Sequence, residues 1–172
     1  MLNSNRADLT AFAQNGGKLI MHTGTADPLV PFQDAINYYE RVVARESSLV
    51  RTQGFFRLFV VPGLGHGRSP GLGEFGSGQN VNTPQDSERD VLSALMRWAE
   101  QGVPPARVIA TASEEVNHVR TIRLERPVFP YLRRLVASSK CGKSPADFTS
   151  RRLSTATNIK PSSKLPNVCR QG

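Results

Sequence analysis

The chain has 172 residues, of which 38% are hydrophobic, and a formal net charge of +8. A chain of this length can enclose one hydrophobic core, but its hydrophobic fraction is low for a compact domain, so we expect part of it to lie outside that core. No stretch approaches the roughly 18 apolar residues of a membrane span, and residues 1–10 lack the basic and apolar segments of a signal peptide.

The first predicted elements alternate between helix and strand. Apolar residues at helical spacing predict a short helix over residues 7–15, which a glycine pair ends. Residues 18–23 form an apolar run and predict a buried strand. A polar, proline-containing loop follows at residues 24–31. A second helix is predicted from Phe32 to about Glu46, and its apolar face consists of Ala35, Ile36, Tyr39, Val42 and Val43.

The middle of the chain has the strongest strand signal, F-F-R-L-F-V-V at residues 55–61. Residues 62–83 are rich in glycine and unpatterned, which predicts a long loop, and loops of this length are usually functional or mobile. A helix is then predicted from Thr83, the N-cap, to Gln101, with Pro84 at its first position and Gly102 after its end. Its predicted buried stripe consists of Val91, Leu95, Trp98 and Ala99.

The last third changes in character. Residues 107–112 and 118–124 are short strand candidates, whereas the chain after Pro130 is rich in Ser, Lys and Arg and has little periodicity. We therefore predict an α/β domain over residues 1–131, with a mostly parallel sheet and flanking helices, and a basic, irregular, loosely packed tail over residues 132–172. Charge divides at a similar place: residues 1–116 have a net charge of −2 (10 Lys and Arg, 12 Asp and Glu), and the remaining residues have +10 (12 against 2).

Two side chains that can carry chemistry follow the two predicted strands. Asp27 lies in the loop after the first strand, and His66 lies in the loop after the second. Because the carboxyl ends of parallel strands share one edge of a sheet, we expect these side chains to lie within hydrogen-bond reach of each other. Taken singly, an Asp-Pro is more often a turn former, and a His in a Gly-rich loop is more often a surface residue. Their order and placement favour the acid and base of a Ser-Asp-His hydrolase triad.

Three other features do not carry a function. G-R-S-P-G at residues 67–71 matches G-x-S-x-G, but Pro70 blocks the helix that must start at a nucleophilic serine, so Ser69 is not expected to be one. G-x-G-x-x-G at residues 71–76 opens no helix, so a dinucleotide site is not expected. Cys141 and Cys169 could pair but set no fold, and no Cys/His cluster has zinc spacing. We therefore expect neither a cofactor nor a metal.

Several strings resemble the tannase/feruloyl esterase family of carboxylic ester hydrolases. They are the segments at residues 16–31, 38–42, 55–67, 96–102, 104–111 and 126–131, of which those around Asp27 and His66 are specific. The resemblance covers roughly residues 7–131 and implies a partial α/β-hydrolase fold. It also implies that Asp27 is the triad acid and His66 the triad base, that the substrates are small aromatic esters of acids such as ferulate or gallate, and that the protein is secreted.

The chain departs from the family pattern in three ways. The family's nucleophile segment, Cys-Ser-x-Gly-Gly, does not occur in it. The family usually has a cysteine directly after its histidine, where this chain has Gly67, and that cysteine is bonded to the one beside the serine. The family's lid domain with its calcium site is also missing. We therefore expect a truncated chain that is inactive alone.

Two alternatives to the esterase hypothesis remain. Another α/β-hydrolase, such as a thioesterase or a peptidase, shares the loop type around Asp27 but not the sequence around His66. The second alternative is a remnant domain without catalytic activity that binds anionic partners through its basic tail. A nucleic-acid partner is not favoured, because the tail lacks the interleaved aromatic residues of a base-stacking surface. No membrane partner is expected.

Overall fold

A computed structural model of the chain describes residues 5–66, 86–117, 119–137 and 148–152. In chain order the elements are α1 (Thr10–Gln14), β1 (Leu19–Gly24), α2 (Phe32–Glu46), α3 (Leu49–Gln53), β2 (Phe56–Val61), α4 (Val91–Gln101), β3 (Val108–Val116), β4 (Val119–Val128), β5 (Arg133–Ala137) and β6 (Phe148–Arg152). None of the helices in these ranges is long and apolar enough to cross a membrane. The G-R-S-P-G and G-x-G-x-x-G patterns, the helix start expected at Thr83, and both cysteines lie outside the described residues.

Strands β1 and β2 pair in parallel, from Leu19 opposite Phe56 to Gly24 opposite Val61. This pairing confirms the parallel arrangement expected for the two apolar runs, and it supports the α/β class. Strand β2 is apolar on both faces, as in a parallel sheet that is covered on both sides. Its residues Phe56 and Leu58 face one core cluster, whereas Phe59 and Val61 face another.

Helix α2 covers the first of these faces, over the predicted range. Ile36, Tyr39 and Val42 are buried at the spacing of one helical face and pack with Phe56 and Leu58. The ring of Tyr39 meets the ring of Phe56 edge to face, with 4.9 Å between centroids. The first core therefore forms between α2 and the sheet. The short helix α3, which the sequence analysis does not predict, follows α2 directly; its N-cap is Ser48.

Helix α4 begins at Val91, and the described residues 86–90 before it are not helical, so the continuous helix predicted over residues 83–101 starts too early. The carboxylate of Asp90 accepts a hydrogen bond from the backbone N–H of Ser93 at 2.7 Å and is the N-cap. The side chain of Asp86, expected inside the helix, instead caps a turn before it, because it accepts from the backbone N–H groups of Glu88 and Arg89. Gly102 ends the helix with φ of 68°, as predicted.

The buried face of α4 also differs from the predicted stripe. Trp98 is buried as expected, but Ala94 is buried instead of Ala99, which is exposed. Val91 and Leu95 are only half-buried. The helix is therefore rotated slightly about its axis from the predicted orientation. The apolar pattern of one short helix does not fix this rotation.

Strands β3 and β4 form an antiparallel hairpin with an irregular register between Ala112 and Ser113. They are longer than the predicted strands, and they place Val108, Ala110 and Val128 against the second face of β2. Strands β5 and β6 are also antiparallel and lie in the region expected to be irregular, so that expectation is corrected for these residues. The remainder of residues 132–172 lies outside the described residues, and the domain boundary at residue 131 stays a prediction.

Candidate active site

Asp27 is held by a turn directly after β1. Its Oδ1 accepts hydrogen bonds from the backbone N–H groups of Leu29 at 2.8 Å and Val30 at 3.0 Å. An aspartate that caps the two or three residues after it forms an Asx turn, and Pro28 suits such a turn because it needs no N–H partner. Asp27 is therefore the turn former that Asp-Pro suggests, but the turn occupies only one of its two carboxylate oxygens.

The second oxygen of Asp27 faces His66. Its Oδ2 lies 3.0 Å from Nδ1 of His66, which follows β2. The structure thus brings both predicted site residues together at the carboxyl ends of two parallel strands, and their expected placement is confirmed. The Asp27 side chain is 12% exposed, whereas that of His66 is 52% exposed. The imidazole is therefore oriented from one side and accessible from the other.

The protonation of this pair follows from the environment of Asp27. Desolvation acts to raise the pKa of Asp27, but the N–H groups of Val30 and Leu29, together with His66, outweigh it and hold the pKa below its ordinary value. At neutral pH the carboxylate is therefore ionised and can only accept a hydrogen bond, so Nδ1 of His66 must donate. Nε2 of a neutral His66 is then the basic nitrogen.

Three further hydrogen bonds join the two loops. The backbone N–H of Gly63 donates to Oγ1 of Thr25 at 3.0 Å, and the N–H of Ala26 donates to the carbonyl of Leu64 at 3.0 Å. The N–H of Thr25 donates to the carbonyl of Val61 at 3.1 Å. These contacts fix the position of the His66 loop on the Asp27 loop. They were not predicted from the sequence, because hydrogen bonds between groups this far apart along the chain leave no pattern in it.

Gly24 allows this close approach. A Cβ at this position would lie 2.0 Å from the carbonyl oxygen of Leu64. This distance is too short for any side chain to fit without a shift of the backbone. A glycine at the end of a strand is a signal for such an approach of two backbones, and it could have indicated this one.

The pair has the parts of an acid-oriented general base. Within the described residues, His66 makes no hydrogen bond to a serine or cysteine side chain. The same part of the chain has no group of three or more His, Cys, Asp or Glu that could hold a metal ion. Leu29 and Val30, whose N–H groups hold Asp27, have side chains that are 70% and 50% exposed. Exposed apolar side chains therefore follow Asp27 directly in the chain.

Comparisons with known proteins give a consistent result. The family model described as "Tannase and feruloyl esterase" matches residues 1–143. An uncharacterized esterase of Xanthomonas campestris is 38% identical over 144 residues, which cover 76% of this chain and 25% of that protein. Mono(2-hydroxyethyl) terephthalate hydrolase of Piscinibacter sakaiensis is 32% identical over 125 residues (72% and 18%), and feruloyl esterase C of Talaromyces stipitatus is 32% identical over 100 residues (57% and 19%).

Solved structures agree on the fold. Feruloyl esterase B from Aspergillus oryzae superposes with a TM-score of 0.75 at 21% identity, covering 85% of this chain and 29% of that one. Tannin acyl hydrolase from Aspergillus niger superposes with a TM-score of 0.63 at 22% identity, covering 89% and 26%. The chain thus spans about a quarter or less of the length of the curated relatives named above.

Proposed function

The chain belongs to the tannase and feruloyl esterase family, and from this premise we propose that it supplies the acid and the base of a carboxylic ester hydrolase. Asp27 is the acid and His66 is the base. The observation that carries the proposal is the 3.0 Å contact between Oδ2 of Asp27 and Nδ1 of His66, between loops that leave neighbouring parallel strands. Three additional hydrogen bonds join these two loops, so the contact belongs to a fixed arrangement and is not an isolated ion pair on the surface.

The mechanism follows from the direction of each hydrogen bond. Asp27 accepts the Nδ1 proton of His66 and keeps the imidazole in the tautomer whose Nε2 is free to act as a base. Nε2 takes the proton of a serine hydroxyl as that oxygen attacks the ester carbonyl, and it returns the proton to the leaving alkoxide when the tetrahedral intermediate collapses. Asp27 stays ionised throughout and stabilises the imidazolium that forms between these two steps.

The proposed substrates are esters of small aromatic acids. Relatives and structural neighbours are named for feruloyl, tannin acyl and terephthalate groups. The exposed side chains of Leu29 and Val30 provide apolar surface in the turn that Asp27 caps, which suits an apolar acyl or alcohol group. A secreted location, which the resemblance implies, stays a prediction.

We further propose that the 172 residues alone do not turn over esters. The family's Cys-Ser-x-Gly-Gly segment does not occur in the sequence, and without a nucleophile the base has no proton to remove. The test is an assay of the purified chain with p-nitrophenyl acetate and methyl ferulate beside Ser69→Ala and His66→Ala variants. Turnover that disappears in Ser69→Ala would contradict the dismissal of G-R-S-P-G. Turnover that disappears only in His66→Ala would mean that another nucleophile is present.

The roles of Asp27 and His66 are tested in a chimera. The 144-residue matching region of the Xanthomonas campestris esterase is replaced by the aligned part of this chain. Both His66→Ala and Asp27→Asn should lower kcat of the chimera by about 10³-fold to 10⁶-fold, the range found for triad members. Asp34→Asn, which changes an exposed acid in the first turn of α2, is the matched control and should leave kcat unchanged. A His66→Ala chimera that keeps full activity would refute the proposal.

A second candidate function is the binding of anionic partners through the basic residues beyond residue 132. The register of β5 and β6 supports it, because Arg133 lies opposite Arg152 and Arg134 lies opposite Arg151. The register therefore concentrates four basic residues at two adjacent positions of this strand pair, and concentrated positive charge attracts anionic partners. A gel-shift assay of the full chain with an oligonucleotide, at low and high salt, tests this candidate. A variant with all four arginines changed to Gln should lose the shift; an unchanged shift would exclude these residues.

A further inference from the structure

A cavity lies at a distance from the Asp27–His66 pair. It has a volume of about 380 Å³ and lies between α4, the turn before α4 and the segment at residues 103–107. That segment is next to the start of β2, because the side chain of Arg57 donates to the carbonyl of Pro105. His66 follows the other end of the same strand, so the length of β2, about 20 Å, separates the two sites.

One wall of this cavity has a cation without an anionic partner. Nη1 of Arg97 donates to the hydroxyl of Ser87 at 3.2 Å, and Arg97 makes no ion pair among the described residues. The second arginine in the wall, Arg107, lies 3.3 Å from the carboxylate of Glu88 and is therefore matched in charge. Among the described lining residues there is thus one excess positive charge, at Arg97.

The remaining wall is apolar. Val103, Pro104 and the half-buried Phe129 line it, together with the buried Ala94. A volume of this size is at the lower end of the 300–1,000 Å³ range of small-molecule sites, so it fits a single ring with a short substituent. A monoanion matches the one excess charge, whereas a phosphate dianion would meet Glu88 without a second free cation.

We propose that this cavity binds a small carboxylate with an apolar, ring-sized body. The carboxylate accepts two hydrogen bonds from the guanidinium of Arg97, the planar donor that fits it best. The ring lies against Phe129 and Val103, where it removes apolar surface from water. The site is separate from the proposed esterase site and does not depend on the roles of Asp27 and His66.

The test uses benzoate as the ligand and the full chain, with binding followed by amide chemical shifts in NMR. Benzoate should shift the backbone amide signals of Ala94, Val103, Ala106 and Arg107 in a saturable way. Benzamide, which has the same shape without the charge, should bind at least about tenfold more weakly. Arg97→Gln should weaken benzoate binding by a similar factor. The side chain of Arg97 is exposed and, among the described residues, hydrogen-bonds to Ser87, so this variant should fold. Val103→Asp, which adds a negative charge to the apolar wall, should also weaken binding.

Arg41→Gln is the matched control, because Arg41 is an exposed helical arginine that likewise donates to a neutral side-chain oxygen, that of Asn5. Benzoate binding should be unchanged in this variant and in His66→Ala. The proposal is wrong if there is no saturable shift up to about 10 mM benzoate, a limit that corresponds to negligible affinity. It is also wrong if Arg97→Gln binds benzoate as the unchanged protein does, if benzamide binds equally well, or if inorganic phosphate binds more tightly than benzoate.

Discussion

The approach of the two site loops depends on the missing side chain of Gly24, so Gly24→Ala should separate them. The new Cβ would lie 2.0 Å from the oxygen and 2.6 Å from the carbon of the Leu64 carbonyl. Non-bonded heavy atoms pack at about 3.5–4.0 Å, so the Leu64 peptide must move by more than about 1 Å. His66 is two residues further along the chain and must move with it.

The expected cost has two parts. Forcing extra volume into a packed contact typically destabilises a protein by about 1–3 kcal/mol. Moving the Leu64 carbonyl also weakens its hydrogen bond from the N–H of Ala26, and such bonds contribute about 0.5–1.5 kcal/mol. The weakened hydrogen bond is part of the movement that relieves the clash, so the two costs are not added. We expect the free energy of unfolding to fall by about 1–3 kcal/mol.

The assay combines urea unfolding with ¹⁵N NMR of the imidazole of His66. Gly24→Ala should lower the unfolding midpoint and remove the signature of an Nδ1 proton hydrogen-bonded to a carboxylate. The matched control is Gly54→Ala, because Gly54 has an ordinary helical φ of −71° and its new Cβ would lie 3.1 Å from the carbonyl of Arg51. Both substitutions restrict the unfolded chain equally, an effect of about 0.4–1 kcal/mol, so their difference isolates the clash. Equal midpoints and an unchanged His66 signal would refute the reasoning.

Three further predictions concern charge, core packing and strand pairing. Hydrogen bonds from Thr10, and after them Arg45, lower the pKa of Asp8 to about 2. The ionised carboxylate therefore stabilises the fold above its ordinary pKa of 3.8, and this stabilisation is lost as the pH falls towards 2. Asp8→Asn should flatten this part of the curve of unfolding free energy against pH. Phe56→Ala should destabilise by about 3–5 kcal/mol in urea unfolding, while Phe12→Ala, at a side chain that is 40% exposed, should cost much less. Arg152→Glu should slow hydrogen exchange of β5 amides by strengthening its pairing, a gain of about 0.2–1 kcal/mol.

Elements with sustained periodicity were predicted within a residue or two. Helix α2 has an apolar repeat over its length, and the burial of Ile36, Tyr39 and Val42 follows it. Strands β1 and β2 were predicted from apolar runs. Strand β2 is largely buried, whereas the apolar residues of β1, predicted to be buried, are only half-buried. Helix α4 was placed seven residues too early, because Thr83 and Pro84 have the local chemistry of a helix start as much as Asp90 does. Which of two such signals starts the helix depends on the turn that the side chain of Asp86 forms before it.

The same contrast holds at the candidate site. The order of an acid and then a histidine, each after an apolar run, was sufficient to predict that Asp27 and His66 meet, because parallel strands bring the loops at their carboxyl ends to one edge. The contacts of Thr25, Ala26 and Leu64 were not predictable, since they join groups of residues 36 to 38 positions apart, most of them on the backbone. The cavity lined by Arg97 was not predictable either, because its walls come from segments with no shared sequence pattern.

The sequence by itself thus determined what local periodicity and chain order encode: the helix α2, the two parallel strands, the glycine that ends α4, and the meeting of Asp27 with His66. Only the tertiary structure determined the start of α4 and the strand pairing beyond Pro130. It also determined that Oδ1 of Asp27 accepts from the turn while Oδ2 contacts His66. The physical reason is that hydrophobic spacing acts between residues three to four positions apart along a helix, or two along a strand. Caps, register and hydrogen bonds between loops depend instead on which distant groups reach each other after the core has formed.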